Sequence, residues 1–234
     1  RSIKSITLTR LLLLVPMMAY GIYKNGLYLY FHHYIGLQEL FKPVLLIVGS
    51  AIIGGVINLL YEYGVKRRKE KISEALFSSF HIEYAILSAC ITSINVDLFI
   101  YFGVLTIILM LSKFFKNRIN IMCVIFLIIY GISYYTHGFH FANAYETSKV
   151  FDLEFMDFLI GRGAGGIAST HIILLVLALF GAFITNNNKT NITLFSILGY
   201  VIPLFLFCIL KEKNFTNLLF SNNYLFIVFI NIIG

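Results

Sequence analysis

The chain has 234 residues, of which 59% are hydrophobic and only 12% charged, with a mean hydropathy of +0.86. A soluble domain carries about 25% charged residues, so half that fraction cannot cover a water-facing surface, and a soluble globular protein is excluded. The formal net charge of +7 does not point to nucleic acid: its densest cluster, Lys66-Arg67-Arg68-Lys69-Glu70-Lys71, lies between two apolar runs, as a cytoplasmic loop does under the positive-inside rule.

In chain order, the apolar runs predict an all-α, multi-pass membrane protein, since about 20 apolar residues cross a bilayer as a helix. The first helix is expected over residues 8–23, without the small-residue cleavage site of a signal peptide. An aromatic segment over 26–34 suits the membrane interface, where Tyr and His prefer to lie. A second helix is expected over 43–61, ending at the basic cluster. Residues 74–95 are apolar but carry Ser78, Ser79, His81, Glu83, Ser88, Thr92 and Ser93, too polar for a lipid-facing rod. That segment reads as a broken or re-entrant element buried among other helices. Spans at 98–111 and 119–134 follow, then a polar connection over 136–154 and a glycine-rich connector through Gly166. Further spans are expected over 167–184, 192–210 and 218–233, giving about eight spans.

Arg1, Lys4 and Arg10 place the N-terminus in the cytoplasm. The cluster at Lys66 and the group Lys113, Lys116 and Arg118 fall on the same side after successive pairs of crossings, and the more acidic stretch with Glu146, Asp152 and Glu154 falls outside. Five crossings per unit invert a second copy. Leu76-Phe77-Ser78 and Leu219-Phe220-Ser221 open polar segments at matching places, the latter followed by Asn222, Asn223 and Asn231. This divides the chain into a first five-helix repeat (1–135), an outer loop and connector (136–166) and the start of an inverted second repeat (167–234).

The string Met156-Asp157-Phe158-Leu159-Ile160-Gly161-Arg162-Gly163-Ala164-Gly165-Gly166-Ile167-Ala168-Ser169-Thr170 resembles the RnfD/NqrB family, in which DxxxG leads through a turn to a Gly-Glu-Thr-Ser type motif. Ser112-Lys113-Phe114-Phe115-Lys116-Asn117-Arg118-Ile119-Asn120 is similar to a Lys-containing stretch of that family. The family comprises membrane subunits of ion-translocating electron-transfer complexes. The resemblance implies two inverted five-helix repeats, a scaffold shared with urea channels, of which this chain covers about eight of ten helices. It further implies a bacterial cell membrane, neighbouring membrane subunits, a part in an ion-translocating oxidoreductase complex, and FMN or riboflavin as cofactor. The chain departs from the pattern in three places. The outer loop around Thr147 lacks the Ser-Gly-Ala-Thr string that holds covalent flavin, Arg162-Gly163-Ala164 replaces a turn with Pro, and Ala168 stands where the family has Glu.

Candidate residues follow from both readings. Gly163, Gly165 and Gly166 can present backbone N–H groups at a helix start expected near Ile167, where Arg162, Ser169 and Thr170 suit a phosphate or carboxylate. The same glycines also suit a close helix crossing. With Thr147 these form the expected flavin site. His81, Glu83 and Ser88 are the expected ion pathway, because an ionisable group inside a membrane segment is costly and functional by default. A small-solute channel on the same scaffold would use those residues without flavin. His137 and His140 lack a third metal ligand, and His171 suits a helix cap. Cys90, Cys123 and Cys208 show no CxxC spacing and read as small hydrophobes. The sequence carries no P-loop, HExxH or Ser-His-Asp order.

Overall fold

A computed structural model of the chain describes residues 3–67, 71–92, 94, 96–114, 128, 159–161, 166–185, 202 and 209. Among these the structure is helical, with no strand. The helix α1 runs over Ile3–Phe31, 29 residues. The segment expected as a separate interfacial piece instead prolongs it, through a π-helical turn at Tyr23–Leu27. A short helix α2, Leu37–Leu40, leads into α3, Lys42–Val65, which opens with a proline in its first turn, where the missing N–H costs nothing. Helices α1 and α3 are long and apolar enough to cross a membrane: at about 1.5 Å per residue both exceed the roughly 30 Å hydrocarbon layer.

The polar stretch after the basic cluster is broken, as its composition predicts. The helix α4, Ile72–Leu76, ends in a turn.

 The helix α5 covers His81–Ile91, 11 residues, or about 16 Å of rise against a hydrocarbon layer of roughly 30 Å. All of its residues but Tyr84 are buried. The helix α6, Leu98–Phe114, is started by Asp97, whose carboxylate accepts from the N–H groups of Phe99 (2.9 Å) and Ile100 (3.0 Å). The helix α7, Ile172–Ile184, begins five residues later than the expected 167. The reason is that the backbone of Gly166–Thr170 is committed to contacts elsewhere, set out below. The expected spans over 119–134, 192–210 and 218–233 lie outside the described residues apart from Ile128, Ile202 and Ile209, as do the outer loop, His137, His140 and the proposed second-repeat segment.

Side-chain contacts fix the directions. Arg10 of α1 meets Glu83 early in α5, and Gly21 meets Ile167 just past the end of α5, so α1 and α5 run alongside in the same sense. Gly54 of α3 abuts Ile82, and Ser112 of α6 meets His81, so both of those helices run opposite to α5. The helix α7 runs back along α1, with the His171 ring edge-on to Tyr20 at 4.5 Å and Gly181 beside Leu13. The core formed by Leu14, Met17, Leu46, Leu87, Leu105 and Leu109 lies among these helices. Outward-facing positions are strongly apolar: Leu12 is 72% exposed, Phe31 68% and Phe99 90%. Thr7, Asn25, Ser50, Asn58, Glu62, His81 and Glu83 are buried. Apolar side chains outside and polar ones inside is the distribution that lipid, rather than water, selects.

Candidate functional site

The break between α4 and α5 leaves backbone carbonyls that no helix satisfies, and in an apolar setting each must find a donor. Asn58 of α3 supplies it. Its amide nitrogen donates to the carbonyls of Leu76 (2.8 Å) and Ser79 (3.3 Å), and its oxygen accepts from the Ser79 hydroxyl (2.6 Å). His81 extends this cluster to α6, with Nδ1 2.8 Å from Ser79 Oγ and Nε2 2.7 Å from Ser112 Oγ. Lys113 Nζ donates to Ser79 Oγ (2.8 Å) and sits 4.8 Å from the centre of the Tyr61 ring. Lys66 lies 4.9 Å from the same ring and donates to Glu62 Oε1 at 2.7 Å.

Glu83 points the other way. Two residues apart on a helix do not share a face, and Glu83 turns to α1, where Arg10 donates to its Oε1 at 3.1 Å. The Arg10 guanidinium also lies 5.8 Å from the Phe80 ring. The carboxylate is fully buried, so the ion pair is isolated from water on the Glu83 side. Two turns further along α5, Ser88 shares the His81 face. Its hydroxyl lies 2.7 Å from the Tyr101 hydroxyl, which lies 3.0 Å from Ser50 of α3. Between these two polar levels α3 and α5 pack tightly. A Cβ on Gly54 would stand 2.8 Å from Ile82 Cα and 2.9 Å from the His81 carbonyl oxygen. The expected pathway residues therefore divide: His81 and Ser88 line one seam, and Glu83 another.

The end of α5 presents a second unsatisfied set of carbonyls. The chain at Gly166–Ala168 closes it: Ile167 N–H donates to the Thr92 carbonyl (3.1 Å) and Ala168 N–H to the Cys90 carbonyl (2.9 Å). Asn25 on the π-helical turn of α1 holds the segment from behind, donating to the Ile167 carbonyl at 3.2 Å. Gly166 has no room for a side chain, since a Cβ there would stand 2.8 Å from the Cys90 carbonyl oxygen. The close-crossing role of the glycines is thus realised at Gly166. The N–H groups of Ile167 and Ala168 are spent on carbonyls and do not face an anion.

For the expected flavin site, Thr147, Arg162, Gly163 and Gly165 lie outside the described residues. Ser169 and Thr170 are buried just ahead of α7, and neither hydroxyl has a hydrogen-bond partner, so polar groups suited to a ligand remain there. His171 caps α7 as expected, its Nδ1 accepting from Leu174 N–H at 3.4 Å. Cys90 is a buried free thiol. Among the described residues no group of three metal-ligating side chains occurs.

Several site residues escape sequence reasoning. Arg10 reads as a flanking charge, although it neutralises Glu83. Asn58, Ser50 and Tyr101 sit singly in apolar runs. The four-residue steps from Ser50 to Gly54 to Asn58 are the signal that places a small and polar stripe on one face of α3. No family model, no curated protein and no solved structure matches the chain.

Proposed function

We propose that this chain is a membrane subunit of a flavin-dependent electron-transfer system of the RnfD/NqrB type, coupled to ion movement along the broken helix α5. The observation that carries the ion path is an 11-residue helix, buried at every residue but Tyr84, that brings His81 and Glu83 inside the bundle and ends partway along α1. Helices that stop inside the bilayer expose polar backbone and side chains to a cavity or to other protein, and they mark binding and transport sites in inverted-repeat membrane proteins. The flavin and the redox role rest on the string from Met156 to Thr170. In this reading about eight spans form one inverted five-helix repeat and the start of another, the N-terminus faces the cytoplasm, and further membrane subunits of a bacterial cell membrane complete the complex. Arg10, Lys66 and Lys113 gather at one end of the bundle, which supports that orientation. When bound, flavin supplies electron transfer. The buried hydroxyls of Ser169 and Thr170, which have no hydrogen-bond partner, support a role in holding its polar groups.

The absorbance spectrum of detergent-purified protein tests this reading. Flavin bands that survive or disappear on denaturation distinguish covalent from dissociable cofactor, and a colourless protein that takes up neither FMN nor riboflavin rejects it. A second reading, a small-solute channel on the same scaffold, is favoured by the Ser50–Tyr101–Ser88 seam beside Gly54. It predicts uptake of a small polar solute into liposomes without flavin, and uptake equal to that of empty liposomes rejects it.

A further inference from the structure

The end of α3 gathers more positive charge than the fold neutralises. Two ammonium groups sit against the Tyr61 ring, Lys66 at 4.9 Å and Lys113 at 4.8 Å from its centre. The carboxylate of this corner, Glu62, is buried and accepts from Lys66 at 2.7 Å. Lys113 donates to the Ser79 hydroxyl, a neutral partner, and meets no carboxylate at ion-pair distance among the described residues. Arg67 and Lys71, exposed on the turn after α3, likewise make no ion pair among the described residues. Inside the corner two cations face one carboxylate, and the two at its rim are uncompensated.

The same corner is apolar on its outer side. Leu60, Tyr63 and Val65 at the end of α3 and Ile72 at the start of α4 are exposed. Water suits these cations and not the apolar groups, whereas hydrocarbon suits the apolar groups and not the cations. We propose that the corner formed by Tyr61, Lys66, Arg67, Lys71 and Lys113 is a docking surface for an anionic phospholipid of the leaflet it faces. The acyl chains cover Leu60, Val65 and Ile72, and the phosphate accepts from Arg67 and Lys113 while Lys66 stays on Glu62. A guanidinium grips phosphate through paired N–H bonds and an ammonium acts as a point charge. Because Arg67 follows α3 and Lys113 lies at the end of α6, one headgroup ties the two helices together beside the break.

An acidic protein loop would satisfy the cations and leave the aliphatic side chains uncovered, so a lipid fits the surface better. The proposal goes beyond the electron-transfer reading and requires only that α1 and α3 lie in a bilayer, where basic groups at the headgroup level attract anionic lipid.

The test is electron spin resonance of the full chain in phosphatidylcholine vesicles that hold trace spin-labelled phosphatidylglycerol or phosphatidylcholine. The immobilised fraction of label reads the relative affinity of the two lipids. Phosphatidylglycerol should be held more tightly, by about fivefold for each cation engaged. Part of that preference should persist in about 1 M sodium chloride, where the screening length is about 3 Å. Arg67→Gln, at an exposed position, should lower the preference about fivefold, and Lys113→Gln similarly. Lys42→Gln removes the same charge from the opposite end of α3 and should leave the preference unchanged. Equal affinity for the two lipids overturns the proposal, as does an equal loss in Lys42→Gln and Arg67→Gln, which reports net charge alone. Release of labelled phosphatidylglycerol by inorganic phosphate, beyond that by sodium chloride of equal ionic strength, assigns the site to free phosphate and overturns the lipid. Protein washed off the vesicles by alkaline carbonate rejects the bilayer setting itself, whereas equal affinity in protein that stays embedded rejects the docking surface alone.

Discussion

Replacing Gly21 with alanine probes the contact between α1 and the segment that closes the end of α5. A Cβ at Gly21 would run into the Ile167 carbonyl oxygen and stand 2.8 Å from the carbonyl carbon and 3.2 Å from Ala168 Cα. All three obstacles are backbone, so no rotamer change relieves the clash. The segment must move away, and that move stretches three bonds: Ile167 N–H to Thr92, Ala168 N–H to Cys90, and Asn25 to Ile167. At about 1 kcal/mol net for each bond, plus roughly 1–3 kcal/mol for overpacking and less about 1 kcal/mol for the better helix former, the loss is about 3–5 kcal/mol. Gly103→Ala is the control, because nothing lies within 4 Å of a Cβ there, and it should gain up to about 1 kcal/mol from propensity alone. Reversible unfolding in mixed micelles, followed by circular dichroism, reads both. Equal stability for the two variants would refute the close backbone approach.

Arg10→Met should destabilise the protein by about 3–5 kcal/mol, because it strands a buried charge. Adding Glu83→Gln should recover most of that loss, and a double-mutant cycle by the same unfolding assay checks the coupling. Asn58→Leu deprives the Leu76 and Ser79 carbonyls and the Ser79 hydroxyl of their partner, at about 2–3 kcal/mol. Hydrogen exchange should then accelerate at the break while α1 remains protected. Tyr101→Phe removes the hydroxyl joining Ser50 and Ser88 and should cost about 1–2 kcal/mol in the same unfolding assay.

Hydropathy made the long apolar helices and the broken, sheltered segment legible, because both depend on composition over many residues. Helix limits were less accessible. The aromatic run at Tyr28–Phe31 reads as interfacial by residue type, yet the backbone continues helically into it. The start of α7 depends on donors at Ile167 and Ala168 being drawn to carbonyls far away in sequence, which no local pattern encodes. The pathway residues were found by the cost of burying them, and that argument identifies Glu83 without naming its partner. Arg10 lies 73 positions earlier, on another helix, and a neutralising contact over that separation is a product of the fold.

The closure of α5 by Gly166–Ala168 has a consequence for biogenesis. The donors that satisfy Cys90 and Thr92 emerge from the ribosome about 75 residues after them. At 5–20 residues per second, that leaves a delay of roughly 4–15 s. During that interval the nascent half-helix has no covering for its carboxyl end and must be held by the insertion machinery, or by water admitted beside it, until the later segment arrives.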